Sequence, residues 1–349
     1  MNKSLYAAFI IIFLIFSNSL LAQKKDYRVS VVGFYNLENL FDTVNNPLKN
    51  DEEFLPNSAR QYNTRIYYDK LDRLSDVISQ MGTDVNPDGL AILGVAEVEN
   101  DTVLKDLVKR PKLKDRKLKI CHYDSPDARG IDVGMLYNPK YFSVLFSAPF
   151  FVQLPGGSKD AYFTRDVLYV KGLLDGDTMH VFVNHWPSRS GGEERSRPGR
   201  EAAAQVVKDK VDSILAKSPN AKYIIMGDLN DDPISPSITK VLNAKGKKED
   251  VKANGIYNPW VDMYKRGIGT SPYQDAWGLF DQIMVSNSML DKNTGGYHFY
   301  KQMIFNKEFL VQKTGKYRNY SKRTWSGITY NYGYSDHFPV YIILLKEVQ

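Results

Sequence analysis

The chain has one cysteine, Cys121, in 349 residues. No intramolecular disulfide can form, so stability must come from a buried core. There is no cysteine pair, no closely spaced histidine pair and no His-Glu-Xaa-Xaa-His run, which removes the usual zinc-ligand patterns. Internal repeats, low-complexity tracts and Gly/Ser-rich or Pro-rich linkers are also missing, so residues 23–349 are expected to form a single domain around one large core. Beyond residue 22 no apolar run approaches the length that crosses a bilayer.

What stands before that point is an apolar stretch, "MNKSLYAAFIIIFLIFSNSLLA", with one early lysine and no charge from Leu5 through Ala22. Followed by the polar "QKKDY", residues 1–22 read as a secretory signal cleaved after Ala22. Leu20 is large for its position before the cleavage point, and a retained N-terminal anchor is the alternative. Either way the rest of the chain is expected outside the cytoplasm, secreted or periplasmic, with no stable membrane association after cleavage. Removing the signal takes away only Lys3, so the net charge falls from +6 to +5. This mild basic excess suits a polyanion such as nucleic acid, though many secreted proteins share it. Nothing implies a protein partner, and a monomer is expected.

Eight short runs have the apolar patterns of buried or half-buried strands: "YRVSVVGFYN", "GLAILGVAEV", "IDVGMLYN", "DVLYVKGLL", "MHVFVNHW", "KYIIMGDLN", "FDQIMVS" and "PVYIILL". At least two helices are expected between them. One carries Leu71, Leu74, Val77, Ile78 and Met81 on one face and stops at Gly82; the other carries Ala203, Val206, Val207, Val211, Ile214 and Leu215. The result is a mixed α/β domain. Residues 44–61 and 307–334 resist regular assignment. The second of these alternates basic and aromatic residues, a mixture suited to stacking on bases and equally to a basic loop packing its rings on the body.

Polar residues recur where these strands end. Asn36, Glu97, His185, Asp228 and Asn230 close apolar runs, while Asp281 opens one and Asp336 with His337 precedes the last. Each has a bland reading as a turn or cap residue. Strand ends along one rim can nevertheless converge on a single cleft, and so many in order make chance the poorer account. Oxygen-rich ligands suit Mg²⁺, Mn²⁺ or Ca²⁺.

The segments "YNLENLFD", "GVAEVEN", "DSPDARGIDVGMLYNP", "VNHWPSR", "GDLNDDP", "DQIMV" and "SDHFPV" resemble the endonuclease/exonuclease/phosphatase superfamily over Asn36 to Val340, and most of all its bacterial secreted nuclease-like members. The resemblance implies a four-layer α/β sandwich of two packed mixed β-sheets flanked by helices. It implies Glu97 as the principal metal ligand, aided by Asn36 and Asp336, with Mg²⁺ as the metal and Mn²⁺ or Ca²⁺ as alternatives. Asp228 would activate the attacking water and Asn230 hold a phosphate oxygen. His337, oriented by Asp281, and His185 would face the phosphoryl group. Arg129 and Arg165 stand at family positions that touch phosphate or brace a loop. Arg189, Arg195, Arg197 and Arg200 follow in a Gly-rich loop near the cleft, and Arg189 is taken as a substrate contact. Asp231 and Asp232 are expected to be lesser turn or surface acids. Ala96 stands where many relatives have Gln, and Phe280 where an aliphatic residue is common, which leaves the shaping of the substrate open.

The function expected on these grounds is a metal-dependent phosphodiesterase acting on nucleic acid, DNA first. The alternatives are hydrolysis of a small or lipid phosphate, or a catalytically silent binding protein. Against an inositol phosphatase the "PAWCDR" type of motif is missing, and no apolar docking hairpin points to a sphingomyelinase.

Overall fold

Along the strand Lys222–Asp228 successive side chains leave opposite faces: Tyr223 and Ile225 pack under a helix, Ile224 and Met226 against a second sheet. A strand buried on both sides needs two covers, and the chain supplies them. The computed structural model describes residues 26–156 and 163–348, so the expected signal segment lies outside the described residues.

The first sheet begins with β1 (Tyr27–Leu40), β2 (Ile92–Val98), β3 (Lys119–His122) and β4 (Asp132–Tyr137). The second holds β5 (Phe142–Phe150), β6 (Val167–Leu174), β7 (Asp177–His185), β8 (Lys222–Asp228) and β9 (Ile256–Tyr257). After a hairpin of β10 (Ser271–Tyr273) and β11 (Ala276–Gly278), β12 (Asp281–Ser286) joins the second sheet. The chain then returns through β13 (His298–Ile304), a small hairpin of β14 (Trp325–Ser326) and β15 (Thr329–Tyr330), and β16 (Val340–Glu347). The first sheet runs β13-β16-β1-β2-β4-β3 and the second β5-β6-β7-β8-β12-β9. In each, one parallel pair, β1/β2 or β7/β8, sits among antiparallel neighbours.

Helices α1 (Thr64–Gln80) and α2 (Asp101–Val108) cover the outer face of the first sheet; α3 (Glu193–Lys217) covers the second. This is the expected four-layer sandwich. The side chain of Asn63 caps α1 by accepting from the backbone of Arg65 and Ile66. Leu71, Leu74, Val77 and Ile78 form its buried face, and Gly82 follows in a left-handed conformation. The second expected helix starts earlier than its apolar face indicates, at Glu193, so the expected arginine loop is helical from there on. Of the twelve strands in the two large sheets, β3, β5, β9 and β13 lie outside the expected runs. β5 lies at an edge and exposes Leu145 and Phe146, which breaks the alternation that marks a half-buried strand.

Two registers place the functional strand ends together. Parallel β7 and β8 bring His185 level with Asp228, and antiparallel β12 sets Asp281 on the other side of Asp228. In the first sheet β16 pairs Val340 with Phe34, so the turn before it lies against Asn36. Gly227 makes the close approach of β7 and β8 possible: a Cβ there would sit 2.3 Å from the carbonyl oxygen of Asn184.

Candidate active site

Glu97 is at the end of β2, where a bulge interrupts pairing to both neighbours and the backbone enters the left-handed region with φ 60°. A non-glycine residue is held there only when its surroundings over-determine it, and such strain gathers at functional sites. The surroundings are polar. Glu97 Oε1 accepts from Asn36 Nδ2 at 3.1 Å and Oε2 from the backbone of Asn39 at 2.9 Å. The same Asn36 nitrogen donates across the sheets to Asp228 Oδ2 at 3.0 Å, while its amide oxygen accepts from the Glu38 backbone. One buried amide thus ties the two sheets together through two carboxylates.

Both histidines face Asp228. His185 Nε2 lies 3.6 Å from Asp228 Oδ2 and 3.9 Å from Glu97 Oε1. His337 Nε2 lies 3.9 Å from the same Asp228 oxygen, and its Nδ1 is 2.8 Å from Asp281 Oδ2. Thr270 also donates to that Asp281 oxygen, fixing the carboxylate that orients the ring. Burial works against the charged form of His337, but Asp281 and then Asp228 outweigh it and raise its pKa well above the ordinary value. His185 goes the other way. Burial, reinforced by Arg165 and Arg129, holds its pKa well below the ordinary value. Asp228 is pushed up to about 6 by burial, a rise that His337 opposes and Asp281 and Glu97 support.

Asn230, also left-handed at φ 48°, gives its backbone N–H to Asp228 Oδ1 and its side-chain nitrogen to the carbonyl of Trp186. The resemblance assigned that side chain to a phosphate oxygen; in this structure it ties β8 to the segment after His185. Asp336 pairs with Arg323 at 3.1 Å and is outside the group of Glu97, His185 and Asp228, whose ligand atoms all lie within 4.8 Å of one another.

The arginines divide. Arg129 is half exposed and pairs with Asp127. Arg165 has a side chain 1 % exposed; it pairs with Asp127 and donates to the carbonyls of His185 and Trp186, so it braces the His185 segment. Arg189 donates to the Asn230 carbonyl, pairs with Asp231 and Asp232, and lies over the Phe280 ring. Arg200 is fully buried on Asp231. Asp231 and Asp232 are therefore buried anchors, contrary to the expectation of surface acids. Their reach to arginines 31 or more positions away leaves no local trace in sequence.

Sequence reasoning also missed Glu38, Lys70, Asp127 and Thr270. Glu38 stands two residues after Asn36, and Lys70 one helical turn before Leu74, on the buried face of α1. A lysine at an apolar position of a helical stripe was the available signal.

A divalent cation fits this donor set. Glu97 and Asp228 converge, and among the described residues no lysine or arginine pairs with either; Nδ1 of His185 is buried without a hydrogen-bond partner among them. The oxygen-rich set suits a hard ion.

Solved structures share the fold. An endonuclease/exonuclease/phosphatase family protein from Bacteroides thetaiotaomicron is 16 % identical, with a TM-score of 0.57 over 93 % of this chain and 100 % of that one. A mannosyl-6-phosphatase from the same organism is 17 % identical, with a TM-score of 0.55 over 90 % and 99 %. D. rerio TDP2 complexed with a single-strand DNA product is 13 % identical, with a TM-score of 0.52 over 90 % and 98 %. The sequence matches none of the curated proteins compared with it. Residues 31–346 match the family model described as "Endonuclease/Exonuclease/phosphatase family". With nearly the whole chain matched and the four layers in place, the protein belongs to the endonuclease/exonuclease/phosphatase family of phosphoric ester hydrolases.

Proposed function

We propose that the protein is a secreted, divalent-metal-dependent phosphodiesterase that hydrolyses nucleic acid, DNA first, by in-line attack of water. The observation that carries this reading is the opposed pair of histidines on one carboxylate, Asp228, beside Glu97. Displacement at phosphorus needs neutralisation of phosphoryl charge, a base for water and support for the leaving oxygen. His337, cationic through Asp281 and Asp228, offers a charged donor to the phosphoryl group. Asp228, with a pKa raised to about 6 by burial, is a carboxylate at neutral pH and remains basic enough to take the water proton. His185, neutral through burial and 3.6 Å from Asp228 Oδ2, would face the phosphoryl group without adding charge. Glu97, aided by Asn36 and Asp336, would hold the ion, Mg²⁺ by preference and Mn²⁺ or Ca²⁺ otherwise. A bound ion of this kind neutralises the carboxylates and polarises a phosphoryl oxygen.

The basic charge of the chain favours a nucleic-acid substrate. A second reading, hydrolysis of a small sugar phosphate, is favoured by the likeness to a mannosyl-6-phosphatase. The test incubates the protein lacking residues 1–22 with plasmid DNA, RNA, bis-p-nitrophenyl phosphate and mannose 6-phosphate, in Mg²⁺ or Mn²⁺ and in EDTA. Nicking of DNA that EDTA abolishes is expected. Release of phosphate from mannose 6-phosphate with DNA untouched transfers the function to the second reading. Binding without turnover of any substrate leaves a silent binding protein.

A further inference from the structure

Arg323 is the half-exposed end of a buried network that reaches Asp336. Its Nη2 lies 3.1 Å from Asp336 Oδ2 and its Nε 3.7 Å from Glu38 Oε1, with 42 % of the side chain exposed. Glu38 is held in turn: its Oε2 accepts from the Thr324 backbone at 2.6 Å. The fully buried Lys70 donates to the main-chain carbonyls of Glu38 and Asn39. The N–H of Asn39 is the one that donates to Glu97. The network that aims Glu97 therefore also holds Arg323 beside Asp336.

A surface arginine whose only role was to neutralise Asp336 would need no such backing. Here Glu38 and Asp336 engage one edge of the guanidinium, and Nε is buried with no hydrogen-bond partner among the described residues. A guanidinium carries five donors in a planar fork that matches a phosphate group. Asp336, which holds Arg323, directly precedes His337, so the exposed edge of the guanidinium belongs to the same loop segment as the histidine that faces the phosphoryl group.

We propose that Arg323 is a specificity residue that contacts a second phosphate of the substrate, next to the one hydrolysed. The proposal rests on the phosphoester reading of the site, and the second phosphate belongs either to the next nucleotide of a strand or to a small bisphosphate. The test measures kcat and KM of wild type, R323Q and R323K on two pairs of substrates. One pair is a thymidine dinucleotide with and without a 5′-phosphate; the other is glucose 1,6-bisphosphate and glucose 1-phosphate.

On the pair it hydrolyses, wild type is expected to prefer the member with the second phosphate. R323Q lowers that preference about tenfold, mostly through KM, as loss of a charge-assisted contact should. R323K, which keeps the charge, retains a large part of it. A rate loss shared equally by both members reports only the Asp336 contact, and a preference unmoved in R323Q overturns the proposal. So does a wild type with no preference, or one that turns over bis-p-nitrophenyl phosphate but neither pair. If only the hexose phosphates are hydrolysed and the preference falls in R323Q, Arg323 keeps its role and the nucleic-acid reading is lost.

Discussion

His180, His185 and His337 are all largely buried, yet their surroundings decide their charge differently. Burial alone lowers the pKa of an imidazole; only carboxylates close to the ring reverse it. His337 has Asp281 and Asp228 at hand and is raised, whereas His180 has the Tyr169 hydroxyl 2.7 Å from Nδ1 and the cations Lys171 and Lys210 near by. Burial and those lysines bring His180 down to about 4 from 6.5. The folded state therefore prefers the neutral ring. Its contribution is complete above about pH 6.5 and is lost as pH falls toward 4, an effect on the order of 2 kcal/mol once solvent screening of the partly exposed ring is allowed for. Urea denaturation of wild type and His180→Gln at pH 7 and pH 4.5 checks this. The variant is expected to lose less stability between the two pH values; an identical loss in both proteins contradicts it.

At the scale of elements, the site depends on where strands stop and how closely they approach. Asn36, Glu97, His185, Asp228, Asp281 and His337 were legible because each interrupts an apolar run, and the two main helices because their stripes have a clear period. The bulge at Glu97 was not legible, since nothing local in "GVAEVEN" marks a left-handed glutamate. The buried partners of Arg165, Arg189 and Arg200 were hidden for a related reason: which carboxylate meets which guanidinium is set by tertiary packing between distant segments. Edge strand β5 escaped because its outer face stays apolar in solvent. Gly227 supplies the test at this scale. Alanine there drives a methyl into the Asn184 carbonyl, so Gly227→Ala should part β7 from β8 and cost more than about 3 kcal/mol. Thermal unfolding measures it, and a midpoint within about one degree of wild type would sink the argument.

For the molecule as a whole, the sandwich packs two sheets face to face so that Glu97 and Asn36 from one meet His185, Asp228 and Asp281 from the other at one rim, with His337 delivered by the turn before β16. The inter-sheet core, including Phe34, Met226 and Ile283, fixes that meeting. Neither sheet carries the chemistry alone, which is why the segments that make the site are spread from Asn36 to His337. The central claim is that these residues form one phosphoester-hydrolysing centre with Asp228 and His337 at its heart. Its most direct test is the rate of bis-p-nitrophenyl phosphate hydrolysis in Mg²⁺ by wild type, Asp228→Asn and His337→Ala, with folding checked by circular dichroism. The account predicts that each folded variant falls at least about a hundredfold, the scale of a lost acid or base; a folded variant of either kind that keeps more than about a tenth of the wild-type rate contradicts it.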